Sequence, residues 1–141
     1  MDALVKETHA GTYTQAVELG RHTLTGDEPE AVGGNDAGPS PYEFLLAALG
    51  TCTSITVRMY ANLKKIPLDD IVVHLKHQKV HAEDCQNCDD PKSMIDHIDR
   101  MLEFKGNLTP EQRSKLLEIA NKCPVHKTLT HAVSITTGLL K

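Results

Sequence analysis

The sequence predicts an α+β domain of antiparallel sheets around one long buried helix, and three observations carry that reading. Short runs rich in Thr, Val and Tyr open the chain, with Gly11 and Gly20 as breaks. An apolar stretch from Tyr42 to Leu63 follows a loop dense in glycine and proline. Two further runs of similar length then flank a polar connector, ahead of two helical patterns. With 141 residues, 40% of them hydrophobic, the chain has the size of a single domain, 1–141, able to build a core without disulfide staples.

The opening runs read as strands near 3–9, 12–18 and 21–25, a meander. Gly26-Asp27-Glu28-Pro29 and Gly33-Gly34-Asn35-Asp36-Ala37-Gly38-Pro39-Ser40-Pro41 form a loop, because glycine and proline at that density sustain neither ladder nor helix. A loop of this length usually serves a site or a partner. Ser40 and Pro41 then supply an N-cap and a first-turn proline, and Glu43 completes a capping box. The helix over 42–63 is apolar nearly all round, which predicts burial from several sides and, for so small a subunit, a homodimer. Thr, Ser, Arg58 and Asn62 interrupt it too often for a membrane span.

Pro67 closes that unit, and Ile71 to Ala82 reads as a strand. Met94 to Phe104 fits either a helix or a strand, and the polar connector between equal lengths favours a hairpin with 71–82. Thr109-Pro110-Glu111-Gln112 is a second capping box, opening a helix to about Asn121. Cys123-Pro124 interrupts it, a short helix runs to about Leu129, and Ala132 to Leu139 reads as a closing strand.

Charge and composition exclude several classes. Fifteen Lys and Arg against nineteen Asp and Glu leave −4, and Trp is absent, so neither a basic field nor aromatic platforms suit nucleic acid. Met1-Asp2-Ala3-Leu4 shows no basic stretch leading into an apolar run, so the expected location is cytoplasmic, with no membrane partner. In that compartment the four cysteines read as reduced thiols, metal ligands or redox catalysts.

Cys52 lies mid-helix, where a cysteine often serves only as a small apolar packing residue. Cys123 stands ahead of a short helix whose free amides and dipole favour thiolate, with His126 and Lys127 close in sequence. His81-Ala82-Glu83-Asp84-Cys85-Gln86-Asn87-Cys88 offers His81, Cys85 and Cys88 to a zinc ion, with an exposed redox dithiol or two incidental loop cysteines as the alternatives. His9, His22, His97 and His131 read as surface or hydrogen-bonded residues.

Gly38-Pro39-Ser40-Pro41-Tyr42-Glu43-Phe44-Leu45-Leu46-Ala47-Ala48-Leu49-Gly50-Thr51-Cys52, with Cys123-Pro124-Val125-His126 downstream, resembles the OsmC/Ohr family, in the branch with Pro-Tyr-Glu before the first cysteine. The resemblance covers nearly the whole chain and implies an OsmC-like fold in an intertwined homodimer, with two sites at the interface. It also implies thiol-dependent reduction of organic hydroperoxides, with Cys52 peroxidatic, Cys123 resolving, a lipoyl-type dithiol as reductant and no cofactor required.

One part of the family pattern is altered. Family members carry a loop Arg near the thiolate and a Glu just after the proline that opens the helix. Tyr42 fills the Glu position here, Glu43 follows it, and no Arg occurs between Arg21 and Arg58. Tyr42 and Glu43 remain substrate-pocket candidates, and Arg21 and Arg58 are the candidates for stabilising the thiolate. Arg58 reads equally as a partner in an internal or interfacial ion pair, with Glu43 among the options. Three classes follow: a thiol peroxidase, a noncatalytic ligand- or zinc-binding relative, and a dimeric module whose long loop recognises a protein.

Overall fold

The computed structural model describes residues 1–81 and 93–140. It is an α+β fold with antiparallel sheets and one long helix, in the order β1 (Ala3–Glu7), β2 (Gln15–Leu19), β3 (His22–Gly26), α1 (Pro41–Leu63), β4 (Asp70–His81), β5 (Met94–Lys105), α2 (Pro110–Ala120) and α3 (Pro124–Thr130). Residues 1–47 and 48–141 make two compact units.

In the first unit β1, β2 and β3 form the expected meander, with Val5 opposite Val17 and Val17 opposite Leu24. Alternation sends Val5, Val17 and Leu19 to one face, where with Val32 and Phe44 they line an apolar cleft of about 910 Å³. The loop after β3 is ordered by its own polar groups. Thr14 Oγ1 and the amides of Glu28 and Ala37 donate to the buried Asp27 carboxylate, and the Asp27 amide donates to the Pro39 carbonyl. Ser40 and Glu43 then cap α1 reciprocally, each backbone N–H donating to the other's side chain.

The second unit holds the apolar core. Val57, Ala61, Leu68, Leu116, Ile119 and Ala120 are buried together, with Ile71, Leu102 and Phe104 packed against them. β4 and β5 pair as the hairpin favoured from sequence, Asp70 opposite Lys105 through His81 opposite Met94. The core-facing row of β4 approaches α1 at Gly50, where an added Cβ would lie 2.6 Å from Leu75 Cδ1. Glycine therefore allows the close helix–strand contact two residues before Cys52. Gly106 follows β5 at φ 136°, and a Cβ there would strike the Pro67 carbonyl.

α1 has the length and apolar content to cross a bilayer, and in this fold it serves as a core helix, burying Leu49, Gly50, Thr53, Val57 and Ala61. Its burial is one-sided, since Ile55, Met59 and Leu63 stay exposed. Thr109 and Gln112 complete the capping box of α2. The closing strand is a correction: residues 132–140 form no strand. A strand needs a ladder partner, and in the isolated chain Val133, Ile135 and Leu139 are 58%, 85% and 99% exposed.

Candidate functional site

The site is built where three elements of the second unit meet. α1 carries Cys52 and Thr53, β5 carries Arg100, and the α2–α3 junction carries Asn121 and Cys123. Leu75 sets their level: it packs at Gly50 and stands directly opposite Arg100 in the β4–β5 register. Arg100 thus reaches the turn of α1 that contains the first cysteine.

Its guanidinium makes four contacts. NH1 donates to Thr53 Oγ1 at 2.9 Å and lies 4.0 Å from Cys123 Sγ. NH2 donates to Asn121 Oδ1 at 2.7 Å and to His126 Nδ1 at 3.4 Å. The planar fork suits this role, because a single head can satisfy several acceptors from different elements at once.

Cys123 is the N-cap of α3, its sulfur accepting from the His126 amide at 3.3 Å. It is fully buried, whereas Cys52 is half-buried. The two are free thiols, and the Cys123 sulfur lies 3.7 Å from the hydroxyl of Thr53, the residue next to Cys52. Burial pushes the Cys123 thiol up. The His126 amide, Thr53, Cys52 and the Arg100 charge outweigh it and hold the thiol below its ordinary value. Burial and the charges of Arg100 and His131 lower the His126 imidazole, so this residue contributes its amide and a neutral acceptor rather than a charge.

The other sequence candidates lie elsewhere. Arg58 donates to the carbonyls of Leu68 and Asp69, at 2.6 and 3.2 Å, and so satisfies backbone in the turn before β4. Arg21 is exposed in the β2–β3 turn. Tyr42 and Glu43 open α1 in the first unit, Glu43 as the capping residue. His81 ends β4, while Cys85 and Cys88 lie outside the described residues. Among the described residues no group of three or more His, Cys, Asp or Glu is placed to hold a metal.

Arg100 was not among the sequence candidates, although the sequence carries a signal for it. Ile98, Leu102 and Phe104 form the apolar row of β5, and Arg100 is the charged residue that interrupts it. A lone cation on a core-facing row needs acceptors there.

Two cysteines joined to the motif that opens α1 decide the kinship, and the family model for OsmC-like proteins matches residues 33–138. The chain belongs to the OsmC-like family. Solved structures agree on the fold. An OsmC-like protein from Mycoplasma pneumoniae superposes with a TM-score of 0.70 at 17% identity, covering 91% of this chain and 85% of that one. An organic hydroperoxide resistance protein from Legionella pneumophila gives 0.66 at 19% identity over 92% and 88%. One from Elizabethkingia anophelis gives 0.66 at 19% identity over 91% and 86%. No curated protein sequence matches significantly.

Proposed function

We propose that this OsmC-like protein, a single domain over 1–141, reduces organic hydroperoxides with Cys52 and Cys123 and serves in oxidative-stress defence in the cytoplasm. The observation that carries the reading is the convergence of both cysteines on one site: a half-buried Cys52 adjacent in sequence to Thr53 on α1, and a fully buried Cys123 whose sulfur lies 3.7 Å from Thr53 Oγ1 and 4.0 Å from the Arg100 guanidinium. The family membership and the hydroperoxide resistance proteins that share the fold support the substrate class.

The chemistry balances without a cofactor. The Cys52 thiolate attacks the outer oxygen of ROOH, the O–O bond breaks, and the alkoxide leaves and takes a proton as ROH. Cys52 is then a sulfenic acid. Cys123 thiolate attacks its sulfur, forming the disulfide and releasing hydroxide, which leaves as water. An external dithiol of lipoyl type returns two electrons and two protons by exchange. The difference in exposure supports the order, because a bulky peroxide meets Cys52 before it can meet Cys123.

The test is peroxide consumption with a dithiol such as dihydrolipoamide. Cys52→Ser abolishes it. Cys123→Ser retains one round, leaves a trappable sulfenic acid on Cys52, and loses dithiol-driven turnover. Persistent consumption in Cys52→Ser overturns the mechanism.

A homodimer belongs to the same proposal. Ile55, Met59 and Leu63 recur at helical spacing on the exposed side of α1, and the extended residues after α3 leave Val133, Ile135 and Leu139 uncovered. Sedimentation at micromolar concentration is expected to give the dimer mass; a stable folded monomer overturns it. If His81, Cys85 and Cys88 bind zinc, metal analysis gives close to one zinc per chain and Cys88→Ser loses it; no metal with both thiols freely alkylated removes the proposal, and a Cys85–Cys88 disulfide favours the redox reading.

A further inference from the structure

We infer that Arg100 of β5 is a positioning residue for the resolving step: its guanidinium clamps the α2–α3 junction against α1 and holds Cys123 where it can close on Cys52. The inference rests on the two-cysteine reading for its role, and on hydrogen-bond geometry for its placement.

Three elements meet at this one side chain, which lies half-buried on the core-facing row of β5. NH1 reaches α1 through the hydroxyl of the fully buried Thr53, at 2.9 Å. That hydroxyl donates onward to the Leu49 carbonyl at 2.7 Å, so the turn of α1 that carries Cys52 is tied in. NH2 reaches the other side, donating to Asn121 Oδ1 at 2.7 Å and to His126 Nδ1 at 3.4 Å. Asn121 caps the end of α2 and His126 lies in the first turn of α3, so these two acceptors bracket Cys123 in the chain. The Cys123 sulfur lies 3.7 Å from Thr53 Oγ1 and 4.0 Å from NH1.

The junction needs such a tie. α3 is seven residues long and buries none of them, and the Cys123 amide reaches the Ala120 carbonyl only at 3.5 Å. A helix this short is not held by its own backbone, and a contact that long adds little. The guanidinium joins the junction to the strand and to the long helix in one plane.

The charge serves the same step. Among the described residues Arg100 has no carboxylate partner: its acceptors are a hydroxyl, an amide oxygen, an imidazole and a thiol. Of these, the thiol is the group that can become an anion. A half-buried guanidinium without a counter-ion favours the ionised sulfur as it attacks. Arg100 therefore acts after Cys52, the first nucleophile, has been oxidised. Cys123 S⁻ attacks the sulfur of the Cys52 sulfenic acid, the S–S bond forms and the S–O bond breaks. The proton that Cys123 gave up ends on the departing hydroxide, as water.

The experiment uses the reduced protein with Cys85 and Cys88 replaced by serine, and a dipyridyl disulfide, an uncharged reagent that Arg100 does not attract. Attack by Cys52 releases one thiopyridone and leaves a mixed disulfide. Attack by Cys123 on the Cys52 sulfur then releases a second and closes the pair, so absorbance separates the two steps. In Arg100→Ala the second release is expected to slow on the order of tenfold relative to the first, since misplacement by about one ångström costs up to about a hundredfold. Arg100→Lys keeps a charge but not the planar fork, and restores part of the ratio. Asn121→Ala leaves the guanidinium in place, removes one of its anchors, and lowers the ratio by a smaller factor. With an organic hydroperoxide, Arg100→Ala accumulates a sulfenic acid on Cys52 that dimedone traps. An unchanged ratio in folded Arg100→Ala or Asn121→Ala overturns the inference, as does equal slowing of both releases. Complete rescue by Arg100→Lys reduces the residue to a point charge and overturns the clamp. Failure of the peroxidase reading looks different: the wild type leaves hydroperoxide intact, while the two releases and their dependence on Arg100 persist.

Discussion

Asp27 in the first compact unit and Cys123 in the second are both buried groups able to carry a negative charge, and they are held by opposite means. Burial opposes the Asp27 charge, and neutral donors overcome it: the amides of Glu28, Ala37 and Asn35 and the Thr14 hydroxyl hold the carboxyl below its ordinary value. Most of these come from the loop that Asp27 itself begins, so the charge works as a knot in that loop. Cys123 instead receives a cation from a distant strand, Arg100 of β5. A carboxylate surrounded by fixed neutral donors has no reacting neighbour. A thiol held low beside a cation is a nucleophile, open to a reacting partner.

The two units also differ in what lies beneath the charge. The buried residues of 1–47 are Thr14, Gly26 and Asp27, whereas Cys123 belongs to the unit with a full apolar core. The largest expected effect sharpens that contrast. Leu116→Ala, at a fully buried position, is expected to cost about 2–5 kcal/mol in urea denaturation. Val5→Ala, on the open cleft of the first unit, is expected to change the free subunit by only about 0.5 kcal/mol. A Val5 loss as large as that of Leu116 breaks the contrast and means that the cleft is covered in the assembled protein.

A smaller effect links packing to chemistry. Gly50→Val is expected to cost about 1–3 kcal/mol, because its Cβ meets Leu75, the residue opposite Arg100. The same change moves α1 away from β4 and, by drawing Arg100 from the Cys123 sulfur, is expected to raise the Cys123 thiol midpoint read by ultraviolet absorbance. Thr14→Ala, which removes a donor from Asp27, leaves that midpoint in place. A midpoint that follows Thr14 and ignores Gly50 contradicts the assignment of the two charges.

These features were unequally legible in the sequence. The capping boxes at Ser40 and Thr109, the apolar run 42–63 and the meander are local signals, and the elements formed where those signals lie. The closing strand at 132–139 alternates suitably, but a strand forms only with a partner, and sequence shows the pattern without the ladder. The two cysteines were readable through motifs far apart in the chain. Arg100 was hidden because its acceptors, Thr53, Asn121, Cys123 and His126, come from three other segments. Only the β4–β5 register brings Arg100 level with α1.

The smallest effects are pH slopes of stability, and they have different windows for the two groups. Cys123 has a lowered native value, so the unfolded chain binds more protons between that value and the ordinary thiol value of about 8.5. Stability therefore rises with pH through this interval, and the contribution is lost as pH falls through the native value. Cys123→Ser should flatten the neutral-to-alkaline limb of urea midpoints. Asp27 is lowered as well, so its contribution is fully present at neutral pH and is lost only as pH falls below the ordinary carboxylate range through the lowered native value. The difference between wild type and Asp27→Asn should accordingly shrink on the acid side and stay constant from neutral to alkaline pH. Two variants with parallel curves would show that neither buried group is charged as described. Exchanged windows, with Asp27→Asn altering the alkaline limb, would show that the neutral knot and the reactive pair share one titration, and the distinction between them would fall.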